Sequence, residues 1–209
     1  MATDETLSAH LHLLSAGERE HARRHPLVVR TADGSLPQQV FERWLLINAD
    51  FLRTYRRFMM VMGTAAPDTR SSKLMFSGLQ SIDHEMADVE DFVVRRALAP
   101  SSPSPRAMDY TSYVMASSAQ GWTRGLIVAY AVEDLFYDAW ASVRDKISND
   151  NPYRPFVDAW TNEDQRQYVL GLQALVDALP NSPETERIFR TVLHFEISSW
   201  DEAFEPAHP

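Results

Sequence analysis

The segment AYAVEDLFYDAW, residues 129–140, is the stretch on which the fold prediction depends. Its apolar and aromatic residues recur three and four positions apart, which is the spacing of one face of an α-helix. Glu133 lies within that face, between Tyr130 and Tyr137. The segment therefore predicts a core helix that points one carboxyl group inward.

Helical spacing of apolar residues continues through nearly the whole chain, whereas strand-type alternation never extends beyond a few residues. We therefore predict an all-α fold, a bundle of several helices. The 209 residues, of which 44% are hydrophobic, suit one domain with one core, so we expect a single domain over residues 1–209.

Proline, glycine and capping residues predict the helix boundaries of the amino-terminal half. A first helix should end before His25-Pro26, and a loop should run from there through Asp33-Gly34. A capping box of Ser35 and Gln38 should start the second helix. A third helix should end before the proline-rich segment at residues 99–105.

Similar signals predict the boundaries of the carboxy-terminal half. A short helix should lead through Gly121 into the long helix of Glu133, which Asn151-Pro152 should end. Two helices should follow, separated by a turn around Asn162. Ser182-Pro183 should start the last helix, because serine caps well and proline fits the first helical position.

Three predicted helices each place one polar residue inside an otherwise apolar stripe: Asn48, Glu133 and Glu196. Burying an unpaired carboxylate is costly, so two inward glutamates indicate mutual pairing, a shared proton or a polar cavity. Aromatic walls would suit a flat heterocycle. The alternative is that each glutamate pairs with an arginine or a tyrosine hydroxyl and only fixes helix packing. Glu85, near an apolar face after Ile82, is interpreted as structural.

Composition excludes several classes of site and partner. The chain has no cysteine, so disulfides, thiolate metal sites and cysteine nucleophiles are excluded. The formal net charge is -9 with scattered basic residues, so neither nucleic acid nor an anionic membrane is expected as a partner. No apolar run reaches the roughly 20 residues of a membrane span, and the first residues do not resemble a signal peptide. We expect a cytoplasmic protein that binds a small molecule.

A metal-dependent oxidase is a competing class, because helical bundles can hold two irons through a Glu-x-x-His pair on each of two helices. The sequence has one such pair, Glu18 with His21, and His25 follows one turn further on the same face, but the group lies in a charged stretch rather than in an apolar stripe. Glycine-rich nucleotide loops and serine-hydrolase elbows are also missing. We therefore expect neither a metal nor another cofactor.

Six segments resemble one known family in order and spacing. They are His25-Pro26, FERWLLIN (41–48), DYTSY (109–113), AYAVEDLFYDAW (129–140), WTNEDQRQY (160–168) and HFEISSW (194–200). Together they resemble the TenA, or thiaminase-II, family over nearly the whole chain. The lack of cysteine points to the branch in which a glutamate, here Glu133, occupies the position of the nucleophilic cysteine.

The resemblance implies a heme-oxygenase-like bundle without heme. Such proteins hydrolyse formylaminopyrimidine or aminopyrimidine from thiamin breakdown to hydroxymethylpyrimidine for salvage, and they form homodimers or homotetramers. By position, Glu133 would be the general base or nucleophile, and Glu196 the acid that protonates the leaving nitrogen. The implied substrate contacts are hydrogen bonds from Tyr110 and Tyr137 and stacking on Phe51 and Tyr168.

Two positions depart from the family pattern. The family usually has an aspartate in the second helix that holds the pyrimidine, where this chain has Asn48, which offers one acceptor and one donor but no charge. Asp164 occupies the position of the family's stacking tyrosine, and Tyr168 follows one turn later. These departures leave open a second class of function, a non-catalytic or altered-substrate member that binds a heterocycle.

Overall fold

A computed structural model describes residues 6–99 and 102–205, and within these ranges the protein has ten α-helices and no strand. A short 3-10 turn, Arg144–Lys146, lies between the seventh and eighth helices. The prediction of an all-α bundle is confirmed. The helices in chain order are α1 (Leu7–Leu14), α2 (Ala16–Arg23), α3 (Pro26–Ala32), α4 (Gln38–Ala65), α5 (Thr69–Arg95), α6 (Pro105–Ser118), α7 (Trp122–Ala141), α8 (Arg154–Trp160), α9 (Glu163–Val176) and α10 (Pro183–Glu202).

Helix α7 is the centre of the bundle, where it contacts α2, α4, α6, α8, α9 and α10. All of its residues from Gly125 to Val132 are buried, so this helix is covered on every side rather than on one face. Around it, α4 and α5 form the most extensively packed helix pair. None of the described helices is long and apolar enough to cross a membrane.

Tryptophan side chains of α7 and three neighbouring helices pack together in the core. The ring of Trp140 lies 5.6 Å from that of Trp44 and 5.0 Å from that of Trp160, measured between centroids. Trp200 of α10 packs on the same ring at 6.5 Å. Large aromatic side chains of this kind contribute much of the apolar area that a core removes from water. This cluster therefore joins α4, α7, α8 and α10 within the core.

Several predicted boundaries are confirmed by the observed caps. The Ser182 hydroxyl accepts a hydrogen bond from the Thr185 amide at 3.1 Å at the start of α10. The Asn162 side chain caps α9 in the same way, accepting from the Gln165 amide at 2.8 Å. Helix α5 ends at Arg95, before the proline-rich segment, of which residues 100 and 101 lie outside the described ranges.

The predicted first helix and the loop after it are both corrected. The helix is divided at Ser15, whose hydroxyl donates to the Leu11 carbonyl at 2.7 Å. A short helix, α3, replaces most of the predicted loop. Pro26 ends one helix but also fits the first position of the next, and the His25 ring caps α3 by accepting from the Leu27 amide at 3.1 Å.

Two further boundaries were wrong. Ser35 does not cap α4; its amide instead donates to the Asp33 carboxylate at 2.8 Å, and Pro37 precedes the helix without a side-chain cap. Helix α7 ends at Ala141, well before Asn151. There the Ser142 hydroxyl donates to the Ala139 carbonyl at 2.6 Å, an interaction by which serine competes with continued helix.

We expect Gly78→Ala to destabilise the protein and to displace Tyr168. Gly78 of α5 lies against the Tyr168 ring of α9, where an added Cβ would overlap the phenol. A rigid ring moves only if α9 repacks, so the free energy of unfolding should fall by about 1–3 kcal/mol in urea denaturation.

Gly17→Ala is the matched control. Gly17 is exposed in α2 with open space around it, so alanine should stabilise the protein by about 0.5–1 kcal/mol. If Gly78→Ala were as stable as the wild type, the close approach of α5 and α9 would be contradicted.

Candidate active site

Polar residues from five helices line one interior cavity of about 200 Å³. Four of them are Asn48 of α4, Glu85 of α5, Glu133 of α7 and Glu196 of α10, and the others include residues of α9. The structure thus brings together the three polar residues singled out from the apolar stripes. It adds Glu85, which sequence reasoning treated as structural.

Glu133 projects from the central helix into the cavity. Its Oε2 accepts a hydrogen bond from the Gln165 side-chain amide at 2.8 Å. Burial raises the pKa of the carboxyl to about 7, and the neighbouring Glu85 and Glu196 charges act in the same direction. The Tyr55 hydroxyl and Gln165 oppose that increase. Near neutral pH, Glu133 can therefore both hold and release a proton.

Glu196 is the most completely buried of the three glutamates, with 6% of its surface exposed. The Tyr110 hydroxyl donates to Oε2 at 2.7 Å, and the Trp200 indole donates to Oε1 at 3.1 Å. Burial raises the pKa of Glu196 to about 7, while these two hydrogen bonds favour the ionised form. Both oxygens are thus oriented by the protein, unlike those of Glu133.

Glu85 is held from two other helices. Its Oε1 accepts from the Asn48 amide and from the Trp160 indole, each at 3.0 Å. Burial raises its pKa to about 7, against the effect of these two donors. Its spacing from Ile82 and Val89 places it on the buried face of α5, which is the signal that could have identified it.

Aromatic rings form the cavity walls. Phe51 of α4 and Tyr168 of α9, the predicted stacking pair, both line it. Phe51 also stacks on Tyr110, with centroids 4.7 Å apart, and on Tyr55 at 5.3 Å. Tyr110 lines a small recess beside the main cavity, and its hydroxyl donates a hydrogen bond to Glu196, which lines both spaces.

Tyr137 is not among the residues that line the cavity. Successive helical residues are rotated by about 100°, so Val132, Glu133 and Phe136 define one direction on α7 and Tyr137 points about 90° away from it. Phe136 occupies the wall instead. The predicted hydrogen bond from Tyr137 near a reacting carbon is therefore not supported by its position.

Some lining residues could not be assigned from spacing alone. The Tyr55 hydroxyl is buried beside Glu133 and favours its ionised form. Gln165 and Asp164 come from the first turn of α9, whose orientation depends on the turn at Asn162. Trp160 ends α8 and brings an N–H group to Glu85. Their common role appears only once α8 and α9 are placed beside α7.

The residues considered for a metal site have other partners. Glu18 forms an ion pair with Arg190 at 2.5 Å. His25 caps α3 and contacts Asp201 at 3.1 Å. Within residues 6–99 and 102–205, no group of three histidine, aspartate or glutamate side chains is arranged to hold one metal ion.

Fold and site together define a class of protein: a helical bundle whose interior cavity combines several carboxyl groups with aromatic walls. The model of the TENA/THI-4/PQQC family matches residues 14–205, and the chain therefore belongs to that family. The absence of cysteine is consistent with its cysteine-less branch. A search of curated proteins gave no match.

Solved structures with the same fold come from several organisms. A TenA homologue from Pyrococcus furiosus is 22% identical with a TM-score of 0.88, over 94% of this chain and 99% of that one. A TenA family transcription regulator from Silicibacter is 14% identical with a TM-score of 0.86, over 95% and 96% of the two chains. A TenA-like protein from Sulfolobus solfataricus, named as a thiaminase candidate, is 16% identical with a TM-score of 0.79, over 94% and 95%. These similarities establish the fold.

We expect Glu133→Gln to stabilise the protein more at pH 8 than at pH 5. The folded-state pKa of about 7 lies above the ordinary value of 4.5, so Glu133 costs stability as the pH rises through this interval. Glutamine cannot ionise, so the variant's gain in the free energy of unfolding should be about 1–3 kcal/mol larger at pH 8 than at pH 5.

Urea denaturation at the two pH values measures this difference. The same substitution at Glu90, an exposed residue of α5, is the control and should give no pH-dependent gain. An equal effect of Glu133→Gln at both pH values would show that the folded protein does not disfavour the Glu133 anion.

Proposed function

We propose that the protein is a hydrolase that converts formylaminopyrimidine or aminopyrimidine products of thiamin to hydroxymethylpyrimidine. The observation that carries this proposal is the pair Glu133 and Glu196, which line one cavity and have pKa values of about 7 but unlike hydrogen-bond partners. Carboxyl groups in unlike environments can divide the roles of acid and base. Family membership supports a thiamin-related activity.

Glu133 is assigned as the general base. Gln165 bonds its Oε2, and Oε1 accepts no hydrogen bond within the described residues, so this oxygen can take a proton from an attacking water. Glu196 is assigned as the acid, oriented by Tyr110 and Trp200. For the aminopyrimidine, a new carbon–oxygen bond forms at the exocyclic methylene carbon as its carbon–nitrogen bond breaks, one water proton passes to Glu133, the Glu196 proton passes to the leaving nitrogen, and ammonia leaves. Formylaminopyrimidine first undergoes the same exchange at its formyl carbon, which releases formate and yields the aminopyrimidine.

The walls favour a flat ring without phosphate groups. Phe51 and Tyr168 offer aromatic faces on which a pyrimidine could stack. The lining includes Glu85, Asp88 and Asp164 beside the two proposed catalytic groups, and among the described residues it contains no lysine or arginine. Because this acidic lining would repel a phosphate ester, the proposed substrate is the unphosphorylated pyrimidine.

The proposal includes a homodimer or homotetramer that works in the cytoplasm without a cofactor. A second candidate is a non-catalytic family member that binds a heterocycle, and Asn48 favours it because the family's aspartate is replaced. Calorimetry with a pyrimidine, combined with a turnover assay, distinguishes the two candidates. The second candidate should bind the pyrimidine with measurable heat but form no product.

Glu133→Gln should lower kcat for the aminopyrimidine by about 10²–10⁴-fold, since the variant has no base to accept the proton of water. Chromatographic detection of hydroxymethylpyrimidine measures the rate, and Glu90→Gln should leave it unchanged. Wild-type protein that forms no product from either pyrimidine would contradict the proposal, as would a fully active Glu133→Gln variant.

With the pyrimidine at saturating concentration, kcat should depend on pH in a bell shape with its maximum near pH 7. Activity should rise as Glu133 loses its proton and fall as Glu196 loses its own, both with pKa values of about 7. These groups interact, so the two limbs belong to the pair. Glu196→Gln should be slower and should lack the fall above pH 7. If the activity of Glu196→Gln fell above pH 7 as steeply as that of the wild type, Glu196 would not be the general acid.

A further inference from the structure

Glu85 and Asn48 leave two hydrogen-bond acceptors at the cavity. Glu85 Oε1 already accepts two N–H groups, from Asn48 and Trp160, which occupy both of its lone pairs. Its other oxygen, Oε2, accepts no hydrogen bond within the described residues and is not sealed from the cavity. Oδ1 of Asn48 likewise accepts no hydrogen bond within the described residues, and Asn48 lines both the main cavity and the small recess beside it. Both acceptors are therefore open to a ligand.

The orientation of Asn48 is fixed by Glu85. The Asn48 amide group donates to Glu85 Oε1, so rotating the side chain by half a turn would bring its carbonyl oxygen against a carboxylate oxygen. Such a contact replaces a hydrogen bond with repulsion. Trp160 holds the same carboxyl group from α8. Asn48 therefore presents an acceptor to the cavity, although an asparagine alone could present either group.

We propose that Glu85 and Asn48 select an amino-substituted heterocycle, with Glu85 Oε2 paired to a ring nitrogen and Asn48 Oδ1 accepting from the neighbouring exocyclic amine. This inference rests on the proposed function and adds the residues that choose its substrate. One proton is shared between Glu85 and the ring nitrogen, and no covalent bond changes. Trp160 is a positioning residue that acts through Glu85.

An oxo heterocycle fits this pair poorly. Its ring N–H could donate to Glu85, but its carbonyl oxygen would face the fixed oxygen of Asn48. Sites that hydrogen-bond one substrate group reject an analogue that leaves a buried polar group unpaired or opposed. The cavity should therefore prefer an aminopyrimidine to the corresponding pyrimidinone.

The pairing also requires one proton between Glu85 and a neutral ring. Burial raises the pKa of Glu85 to about 7, so the carboxyl group can supply that proton at neutral pH. Other titratable groups face the same space: Glu133 of α7, Glu196 of α10, Asp164 and Tyr168 of α9, Tyr55 of α4, and Asp88 and His84 of α5 itself. A test must therefore isolate Glu85 from its neighbours.

The experiment is calorimetric titration with methylaminopyrimidine and with its oxo counterpart, methylpyrimidinone, at pH 7 and pH 9. The wild type should bind the amino probe about tenfold or more tightly than the oxo probe at pH 7. Its affinity for the amino probe should fall about tenfold or more between pH 7 and pH 9, as Glu85 loses its proton.

Three variants isolate the role of Glu85. Glu85→Gln keeps an acceptor for Asn48 and Trp160 and offers a permanent N–H donor, so it should bind the amino probe with a much smaller loss at pH 9. Glu85→Met has a similar length but no polar group, so it should bind weakly at both pH values. Glu90→Gln, on the same helix but exposed, should behave as the wild type.

The two proposals can fail separately. If the wild type hydrolyses pyrimidines while folded Glu85→Met keeps full affinity, or Glu85→Gln keeps the wild-type pH dependence, or the oxo probe binds equally well, this inference is overturned alone. If the wild type binds as expected but forms no product, only the proposed hydrolysis fails. If the wild type binds neither probe, both fail.

Discussion

The desolvation of three carboxyl groups is the constraint on which the rest of the structure depends. Glu85, Glu133 and Glu196 are drawn from three helices and lose much of their hydration in one cavity. A buried ionised group costs several kcal/mol unless hydrogen bonds replace water. Each glutamate obtains such donors from a different part of the bundle: Gln165 for Glu133, Tyr110 and Trp200 for Glu196, and Asn48 and Trp160 for Glu85. The hydrogen bonds to these three carboxyl groups therefore connect all the helices from α4 to α10.

The opposite face of α7 carries a carboxylate, Asp134, whose pKa is shifted in the opposite direction from that of Glu133. Asp134 follows Glu133 in sequence but points toward the amino-terminal helices, where it accepts from Arg19 and contacts His12 at 3.0 Å. Burial alone would raise the pKa of Asp134, but His12 and the Arg19 charge outweigh it and lower the pKa. One face of α7 thus carries a paired anion, and the other a carboxyl group that can change its charge near neutral pH.

This division fixes the rotation of the central helix. Turning α7 enough to bring Tyr137 to the cavity would withdraw Asp134 from Arg19 and leave both charges buried without partners. Arg23 adds to the same restraint, donating to Asp138 at 2.8 Å and 2.9 Å. The energetic penalty of an unpaired buried charge is large, so the ion pairs on the outer face specify which residues face inward.

Periodicity predicted the helices and the inward direction of Glu133, Glu196 and Asn48, because a helix face is a local property of the sequence. Periodicity could not predict which of Phe136 and Tyr137 lines the cavity. Both lie within one helical turn of Glu133, and only the position of the cavity relative to α7 distinguishes them. The spacing of Glu85 indicated a buried face, but its role at the cavity was missed because its partners Asn48 and Trp160 come from helices distant in sequence. The short helix α3 was not predicted because Pro26 is compatible with both a helix end and a helix start.

The structural relatives extend this contrast between fold and site. At identities of 14% to 22% they keep TM-scores of 0.79 to 0.88, because a bundle requires apolar stripes more than particular side chains. A site has no such tolerance, and function must be argued from its own groups. Here Asn48 carries no charge, yet it fixes, and is fixed by, a carboxyl group on the facing helix. Considered alone, Asn48 suggests that a binding residue has been lost. Together with Glu85, it forms a pair on the cavity wall in which Asn48 offers an acceptor and Glu85 a titratable proton.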